Sequence, residues 1–296
     1  MDKNSEECIE EQLKLIEDIS EIIKAQISDI DNTGRSVILP DAVENLKRVN
    51  ILHIKRLYLE FFNDIVNFLL GRLKEEREEN FRFLLLNIRT LLDIYGQLLY
   101  LCNQDENKQA SICMTNSLFT LANTIGKPEE GDSEAQKQAY EGVRESYNRN
   151  YRYYKPFLDR EGIDIPEDME SFSRIRLEKE LKLNFPPLSQ ILKKEIIETS
   201  SPETIRFFPK SSHRIYNTYK HISNYIHGNV LAKGIHGNEK LWIIYETQIL
   251  SNLLVDLINT KILKGGRKTE LIEWMEKLSQ KRPEFVNFWQ ERNRNT

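Results

Sequence analysis

Apolar residues recur at three- and four-residue spacing along most of the chain, which is the period of an amphipathic helix. The first such segment covers residues 4–31, with apolar positions that run from Ile9 to Ile27. The polar sequence Asp-Asn-Thr-Gly at residues 31–34 is expected to end this helix. No stretch alternates apolar and polar residues over a convincing length, so the pattern predicts an all-α protein built as a bundle of long helices.

The same period predicts further helices over most of the remaining chain. Pro40 and Asp41 are expected to open the second helix, and Asp132 is expected to cap the fifth. Between Gly162 and Pro209, five prolines predict short helices joined by turns. The other predicted helices cover residues 41–70, 80–103, 107–125, 133–159, 211–227 and 239–263, followed by two short amphipathic helices.

The length of 296 residues and a hydrophobic content of 40% are enough for one domain with a sizeable core. We therefore expect a single all-α domain, 1–296. Its bundle core is predicted at about 41–125 and 205–263, with an irregular helical insertion at 127–205 and C-terminal helices at 268–292.

Charge and cysteine content exclude several classes of protein. A net charge of −4 argues against a protein that coats nucleic acid through bulk positive charge. Cys8, Cys102 and Cys113 lack Cys-x-x-Cys spacing and nearby paired histidines, so neither a disulfide framework nor a zinc site is predicted. No cofactor is expected either, because no strong signature for a nucleotide or a common cofactor is present.

No segment is apolar enough to suggest a membrane span. The most apolar stretch, Phe83–Leu101, is interrupted by Arg89 and Asp93. The N-terminal sequence is acidic and polar, unlike a signal peptide. A cytoplasmic protein with no membrane partner is therefore expected.

Arg89 starts a polar line in the otherwise apolar helix 80–103. Arg89, Asp93 and Gln97 follow at four-residue spacing, so they share one side of the helix. Gly96 lies beside this line and is expected to let another helix come close. Because a buried arginine needs a partner, two interpretations stay open. One is structural, with Arg89 bound to Asp93 or to a neighbouring helix end, and the other is a charge that faces an interior polar site.

Three of the five histidines fall in the predicted helix 211–227. Residues spaced by four, three, four and three form a polar stripe on this helix, namely His213, Asn217, Lys220, Asn224 and His227. The adjacent line is expected to pack inward and consists of Tyr216, Tyr219, Ser223 and Ile226. His227 followed by Gly228 also fits an ordinary helix end, so a structural interpretation of this pair stays open.

Tyrosines and polar or basic residues lie on opposite sides of the helix between residues 140 and 155. The first set is Tyr140, Tyr147, Tyr151 and Tyr154, and the second is Arg144, Asn148, Arg152 and Lys155. Aromatic rings interleaved with arginines can bind single-stranded RNA. The same pattern is typical of core tyrosines beneath a solvated basic face.

Two of these segments together resemble a group of bacterial helical proteins and, through them, the HEPN superfamily. The matching sequences are Arg89-Thr90-Leu91-Leu92-Asp93, of the form Arg-[Ser/Thr]-Leu-Leu-[Asp/Glu], and Ser223 to Gly228, of the form Ser-x-x-x-His-Gly. The resemblance covers residues 45–125 and 205–262. It implies a helical bundle that often dimerises. Many members are metal-independent ribonucleases of bacterial defence or stress systems, and others are inactive binding modules.

The nuclease motif of that superfamily is incomplete in this chain. The motif contains an arginine, a polar residue, a few further residues and a histidine, and the arginine position that belongs to His227 holds Ile222. Arg214 and His221 fit a longer form of the motif, but Ile215 occupies its polar position.

The leading hypothesis is a HEPN-like ribonuclease that needs no metal. His227 or His221 is expected to move a proton at the ribose 2′-hydroxyl or the leaving oxygen, and Arg89 or Arg214 to stabilise the phosphate charge. Asn224 completes the predicted catalytic set. The alternative is a non-catalytic module that binds a partner protein or a nucleotide. The predicted binding residues are Asp93, Ser223, Lys220, Arg144 and Arg152.

The resemblance also implies a homodimer, whose second copy would supply a second set of groups. Exposed aromatic anchors for an interface are expected at Trp274, Phe285, Phe288 and Trp289. If Arg89 and His227 share one polar groove, the helices 80–103 and 211–227 must pack side by side. The structural interpretation predicts instead that Arg89 pairs within its own helix.

Overall fold

The computed structural model describes residues 3–36, 39–74, 81–174, 183, 185–191, 219–220, 222–223, 262–263 and 266–281. Helix accounts for 83% of these residues and none of them lies in a strand, which confirms the all-α prediction. The described helices are α1 (Lys3–Ser36), α2 (Ala42–Lys74), α3 (Phe81–Asn103), α4 (Glu106–Thr124), α5 (Glu134–Arg160), α6 (Met169–Ser173), α7 (Leu188–Ile191) and α8 (Gly266–Lys281).

Side-chain caps fix several of the helix starts. Asp41 accepts hydrogen bonds from the backbone N–H groups of Val43 and Glu44, at 2.7 and 3.1 Å, as expected for a residue that opens α2. The cap of α5 is Ser133, which forms a reciprocal capping box with Gln136. Asp132, the predicted cap, instead accepts a hydrogen bond from the N–H of Glu129 in the preceding turn.

The predicted end of the first helix at residues 31–34 is wrong, because α1 continues to Ser36. Each of the four residues costs about 1 kcal/mol or less in a helix interior. Adding residues to an existing helix is also much easier than starting one. A polar run that contains one glycine therefore does not by itself stop a helix of this length.

The chain divides into two compact units. Unit 1 comprises residues 1–30, 56–103 and 186–296, and unit 2 comprises residues 31–55 and 104–185. The part of the predicted insertion that spans 127–185 thus belongs to the same unit as α4. The single-domain arrangement remains a prediction.

Unit 1 has an aliphatic core, formed by α1, α2 and α3. Tyr95 and Phe62 are its largest fully buried side chains, and their ring centroids lie 6.4 Å apart. A polar contact joins α1 to α2 within this core, because the Ser20 hydroxyl lies 2.9 Å from the side-chain oxygens of both Asn63 and Asn67. Buried polar groups need such partners, so this contact fixes the register of α1 against α2.

Unit 2 has a core rich in tyrosine, built on α5 with α4 and α6. The Tyr147 hydroxyl donates a 2.6 Å hydrogen bond to the carbonyl of Pro166, and the Tyr140 hydroxyl donates to Glu170 at 2.8 Å. Burial, together with this carboxylate, raises the pKa of Tyr140 to about 12. The hydroxyls thus stay protonated as donors at neutral pH while their rings fill the core.

None of the described helices combines the length and the apolar composition that a membrane crossing requires.

Gly96 and Gly71 provide a test of the packing of α3 in unit 1. A Cβ atom at Gly96 would overlap the Cδ1 of Leu188 and lie 3.8 Å from the Ile191 Cγ2, whereas one at Gly71 meets nothing within 4 Å. Gly96→Leu is expected to lower the free energy of unfolding by about 1–3 kcal/mol, because α7 must move. Gly71→Leu, the matched control, is expected to raise it by up to about 1 kcal/mol. Urea denaturation measures both, and equal effects would contradict this packing.

Candidate functional site

Arg89, Asp93 and Gln97 form the polar line of α3. The apolar side of the same helix packs in the core of unit 1. Leu91, Leu92 and Tyr95 are fully buried in the core of unit 1. Leu86, by contrast, is 47% exposed. The side of α3 that carries Leu86 is thus open to solvent there, and Arg89 lies one turn further along the helix.

Among the described residues, the guanidinium group of Arg89 makes three contacts. Its Nε donates to the Asp93 Oδ2 at 3.1 Å, within the same helix. One of its terminal nitrogens donates to the Ser223 Oγ at 2.7 Å. The guanidinium carbon also lies 3.9 Å from the centroid of the Tyr219 ring. Hydrogen bonds and cation–π contact together hold this charge in one orientation. We call Arg89, Asp93, Tyr219 and Ser223 the Arg89 cluster.

Both predicted interpretations of Arg89 therefore describe part of its surroundings. The intrahelical pair with Asp93 is present, and so is a contact to the second motif, 134 positions away in the sequence. The guanidinium side chain is 22% exposed and that of Asp93 is 40% exposed. The cluster thus lies at the surface of unit 1, where a small charged ligand can reach it.

The ionised form of the Asp93 carboxyl group is less stable than it is in water, although Arg89 lies beside it. Loss of solvent around the carboxyl group raises the pKa of Asp93 above its usual value, and the nearby Arg89 acts in the opposite direction. Arg89 therefore offsets only part of the cost of removing the Asp93 carboxylate from solvent. The third member of the polar line, Gln97, accepts a 2.8 Å hydrogen bond from the hydroxyl of Tyr58 on α2.

The described part of the second motif lies against the core of unit 1. Ile222 is fully buried there, and Tyr219 packs against the same core as a partly buried residue. Lys220 is exposed, as expected for a member of the polar stripe. Four of the predicted catalytic residues, Arg214, His221, Asn224 and His227, lie outside the described residues.

Another helix does come close to Gly96, as expected. Among the described residues, the side chains that approach it are those of Leu188 and Ile191 of α7. The irregular region 162–209 thus supplies the element that packs on this part of α3.

The other two predicted binding residues lie in unit 2, on α5. Arg144 and Arg152 are exposed, and Arg144 pairs with Glu141 at 3.1 Å. The four tyrosines of the predicted set, Tyr140, Tyr147, Tyr151 and Tyr154, are all buried, and Tyr147 and Tyr151 stack on each other with ring centroids 6.3 Å apart. The fifth tyrosine of α5, Tyr153, is 56% exposed. Because the four rings of the predicted set are enclosed, base stacking on them is excluded in this structure, and the pattern fits core tyrosines beneath a solvated basic face.

Trp274 is not an exposed anchor, contrary to the expectation. Its indole N–H donates a 3.0 Å hydrogen bond to Asp18, and its ring packs against the core of unit 1. An amphipathic helix buries its aromatic residues against its own unit as readily as against a partner, and α8 does so here. Phe285, Phe288 and Trp289 lie outside the described residues.

Two contacts of the polar line on α3 were not predicted. Tyr219 was expected only to pack inward, and no partner was predicted for Gln97, which Tyr58 contacts. The signal for Tyr219 is its spacing, because residues four apart such as Tyr219 and Ser223 share one side of a helix. A partner of Arg89 on that side can therefore offer both a ring and a hydroxyl.

Within the part of the chain that the structure describes, no group of three or more histidine, cysteine or acidic side chains is placed to hold a metal ion. No protein-family model, curated protein or solved structure matches this chain. Interpretation of the site therefore depends on its own geometry and chemistry.

A double-mutant cycle on Arg89 and Ser223 tests the contact between the two motifs. With Arg89→Met and Ser223→Ala, we expect a coupling energy of about 1–3 kcal/mol, because the hydrogen bond involves a charged and partly buried donor. Lys155 and Asp159 are the control pair, at the same 3.1 Å separation as Arg89 and Asp93 but more exposed. Their coupling is expected to be about 0.3–0.5 kcal/mol. A value this small for Arg89 and Ser223 would rule out a structural role for their contact.

The raised pKa of Asp93 gives a pH-dependent prediction. A carboxyl group whose pKa is higher in the folded than in the unfolded state binds protons more tightly when folded, so its ionisation lowers stability as pH rises. Asp93→Asn removes that ionisation and keeps an oxygen for Arg89. The variant is expected to be more stable than the unmodified protein at pH 7, and the gain should disappear below the ordinary aspartate pKa of 3.8. Thermal melts at both pH values measure this, and a gain independent of pH would contradict it.

Proposed function

We propose that this chain is a HEPN-like helical protein that cleaves RNA without a metal ion, with the Arg89 cluster as its phosphate-binding part. Support comes from the hydrogen bond between Arg89 and Ser223, which joins the two sequence motifs that carry the resemblance. Two residues separated by 134 positions have no local reason to meet. The proposal accounts for their meeting by placing both motifs at one site.

The chemistry assigned to this site is transfer of the RNA backbone to its own 2′-hydroxyl. The 2′ oxygen bonds to phosphorus, the bond from phosphorus to the 5′ oxygen breaks, and a proton moves from the former oxygen to the latter. His227 or His221 would remove or return that proton. Arg89, with Arg214 as the other candidate, would stabilise the negative charge on the phosphate oxygens in the transition state.

His227 follows Ser223 by four positions in the sequence, the spacing that places two residues on the same side of a helix. Arg89 approaches Ser223, so this spacing favours His227 over His221 as the proton-transfer group. Asn224 and Lys220 would bind the substrate beside it. A homodimer would supply a second set of these groups.

A second candidate function, a non-catalytic binding module, is favoured by a different observation. The positive charge of Arg89 is already accompanied by the Asp93 carboxylate at 3.1 Å, and its face is covered by the Tyr219 ring. An arginine held in this way can orient a phosphate or a partner's carboxylate without taking part in a reaction. This module would bind a nucleotide or an acidic segment of a partner protein at the Arg89 cluster.

Cleavage of a fluorescently labelled single-stranded RNA in the presence of EDTA tests the proposal. His227→Ala is expected to lower the cleavage rate by about 100-fold or more, because general acid–base groups contribute about 10²–10⁴-fold. The melting temperature should hardly change. His236→Ala is the control, since His236 lies outside both sequence motifs, and it is expected to keep full activity.

Two results would decide against the nuclease. If the protein cleaves no RNA with or without magnesium, the catalytic proposal fails, and RNA or nucleotide binding by fluorescence anisotropy then tests the binding module. In that assay Arg89→Met should weaken binding about tenfold or more, while Arg149→Met, at an exposed arginine outside the predicted binding set, leaves it unchanged. If His227→Ala cleaves RNA as fast as the unmodified protein, the assigned proton-transfer group is wrong.

A further inference from the structure

The Arg89 cluster contains one positive and one negative charge, so its net charge is close to zero. The negative charge belongs to Asp93, whose Oδ2 lies 3.1 Å from the Arg89 Nε. Lys220 follows Tyr219 in the sequence, but it is exposed, so its ammonium charge is screened by water. A site of this kind attracts an anion through short hydrogen bonds more than through its net charge.

Two donors of the cluster remain open to a ligand. Arg89 uses its Nε for Asp93 and one terminal nitrogen for Ser223, and its other terminal nitrogen donates no hydrogen bond within the described residues. Ser223 accepts from Arg89, and its own hydroxyl proton is not donated to any described group. Because Arg89 and Ser223 are in direct contact, the two open donors are neighbours. Neighbouring donors of this kind fit two oxygens of one phosphate group.

The charge of Asp93 is more than Arg89 needs from a hydrogen-bond partner. An asparagine at this position would also offer an oxygen to the Nε of Arg89. Partial burial raises the pKa of the Asp93 carboxyl group although Arg89 lies beside it, so the ionised form lowers stability. A charge that lowers stability, and that its hydrogen bond does not require, is accounted for if it acts on a ligand.

We propose that Asp93 determines which phosphate charge the Arg89 cluster accepts. The inference rests on the phosphate-binding role proposed above for this cluster. A singly charged phosphodiester binds through the two open donors, and a second negative charge gains little because Arg89 attracts it while Asp93 repels it. A phosphate inside an RNA chain carries one negative charge, whereas a terminal phosphate carries about 1.5 to 2 at pH 7. Asp93 therefore removes the advantage that free nucleotides and phosphorylated RNA ends would otherwise have over phosphates inside the chain.

The size of the effect follows from the charge of the ligand. At a separation of about 6 Å in a partly solvated site, one carboxylate weakens the binding of a singly charged ligand by about three- to tenfold. The repulsion energy is proportional to the ligand charge, so a doubly charged ligand is weakened by about the square of that factor. Removing the charge of Asp93 must therefore favour doubly charged ligands more strongly than singly charged ones.

An NMR titration of the full chain at pH 8 with two matched ligands tests the inference. Uridine 5′-monophosphate carries two negative charges at this pH, and its methyl ester carries one. Neither has a phosphodiester beside the 2′-hydroxyl, so the proposed reaction cleaves neither. The unmodified protein is expected to bind the two within about threefold of each other. Asp93→Asn should bind the methyl ester about three- to tenfold more tightly and the monophosphate about 10- to 100-fold more tightly.

Two further variants separate the charge of Asp93 from its position. Asp93→Glu keeps the charge, so it should keep the ratio of the two affinities that the unmodified protein shows. Asp159→Asn is the matched control, because Asp159 on α5 pairs with Lys155 at the same four-residue spacing and the same 3.1 Å. It should change neither affinity.

Three outcomes overturn the inference. If Asp93→Asn changes both affinities by the same factor or not at all, while Arg89→Met weakens both, the cluster binds phosphate without selecting its charge, and the proposed function stands. A preference of the unmodified protein for the monophosphate of more than about tenfold has the same meaning. If neither ligand binds, or if Arg89→Met binds both as tightly as the unmodified protein, the cluster is not a phosphate site, and the proposed function fails together with the inference.

Discussion

An arginine in an apolar helix needs partners for its charge, and in unit 1 some of the partners of Arg89 come from a distant part of the sequence. Three groups meet the guanidinium of Arg89: a carboxylate one turn along the same helix, and a ring and a hydroxyl from residues 219–223. Removing a charge from water costs several kcal/mol unless such contacts replace the lost hydration. The position of Ser223 against α3 is therefore set by polar as well as by apolar contacts. This is the feature on which the proposed phosphate site depends.

The part of α2 that lies in unit 1 is apolar on two sides. One side contributes Phe62 and Val66 to the core of unit 1, and the other exposes Leu57 and Phe61. A helix that is apolar on both sides cannot be assigned an inward face from periodicity alone. Burial, which only the packed structure supplies, distinguishes the two sides.

Within the described residues, the sequence predicted the helices well because a period of 3.6 residues is a local property of the chain. It predicted helix ends less well, since α1 continues through a polar run with a glycine and α5 is capped by Ser133, one residue after the expected cap. The Arg89–Asp93 pair follows from four-residue spacing. The contact of Arg89 with Ser223 is not contained in any local pattern, and only the resemblance brought the two motifs together. The approach of Leu188 to Gly96, and the burial of Trp274, depend on the path of the chain between helices, which periodicity does not encode.

The tyrosine core of unit 2 has a practical consequence for how this protein is observed. All three tryptophans of the sequence fall within residues 186–296, which belong to unit 1, whereas the aromatic residues of unit 2 are tyrosines and phenylalanines. Tryptophan fluorescence during denaturation therefore reports on unit 1 alone, while circular dichroism follows the helices of both units. Coincident curves from the two signals would mean that the chain unfolds as one cooperative block, and separated curves would assign one transition to each unit.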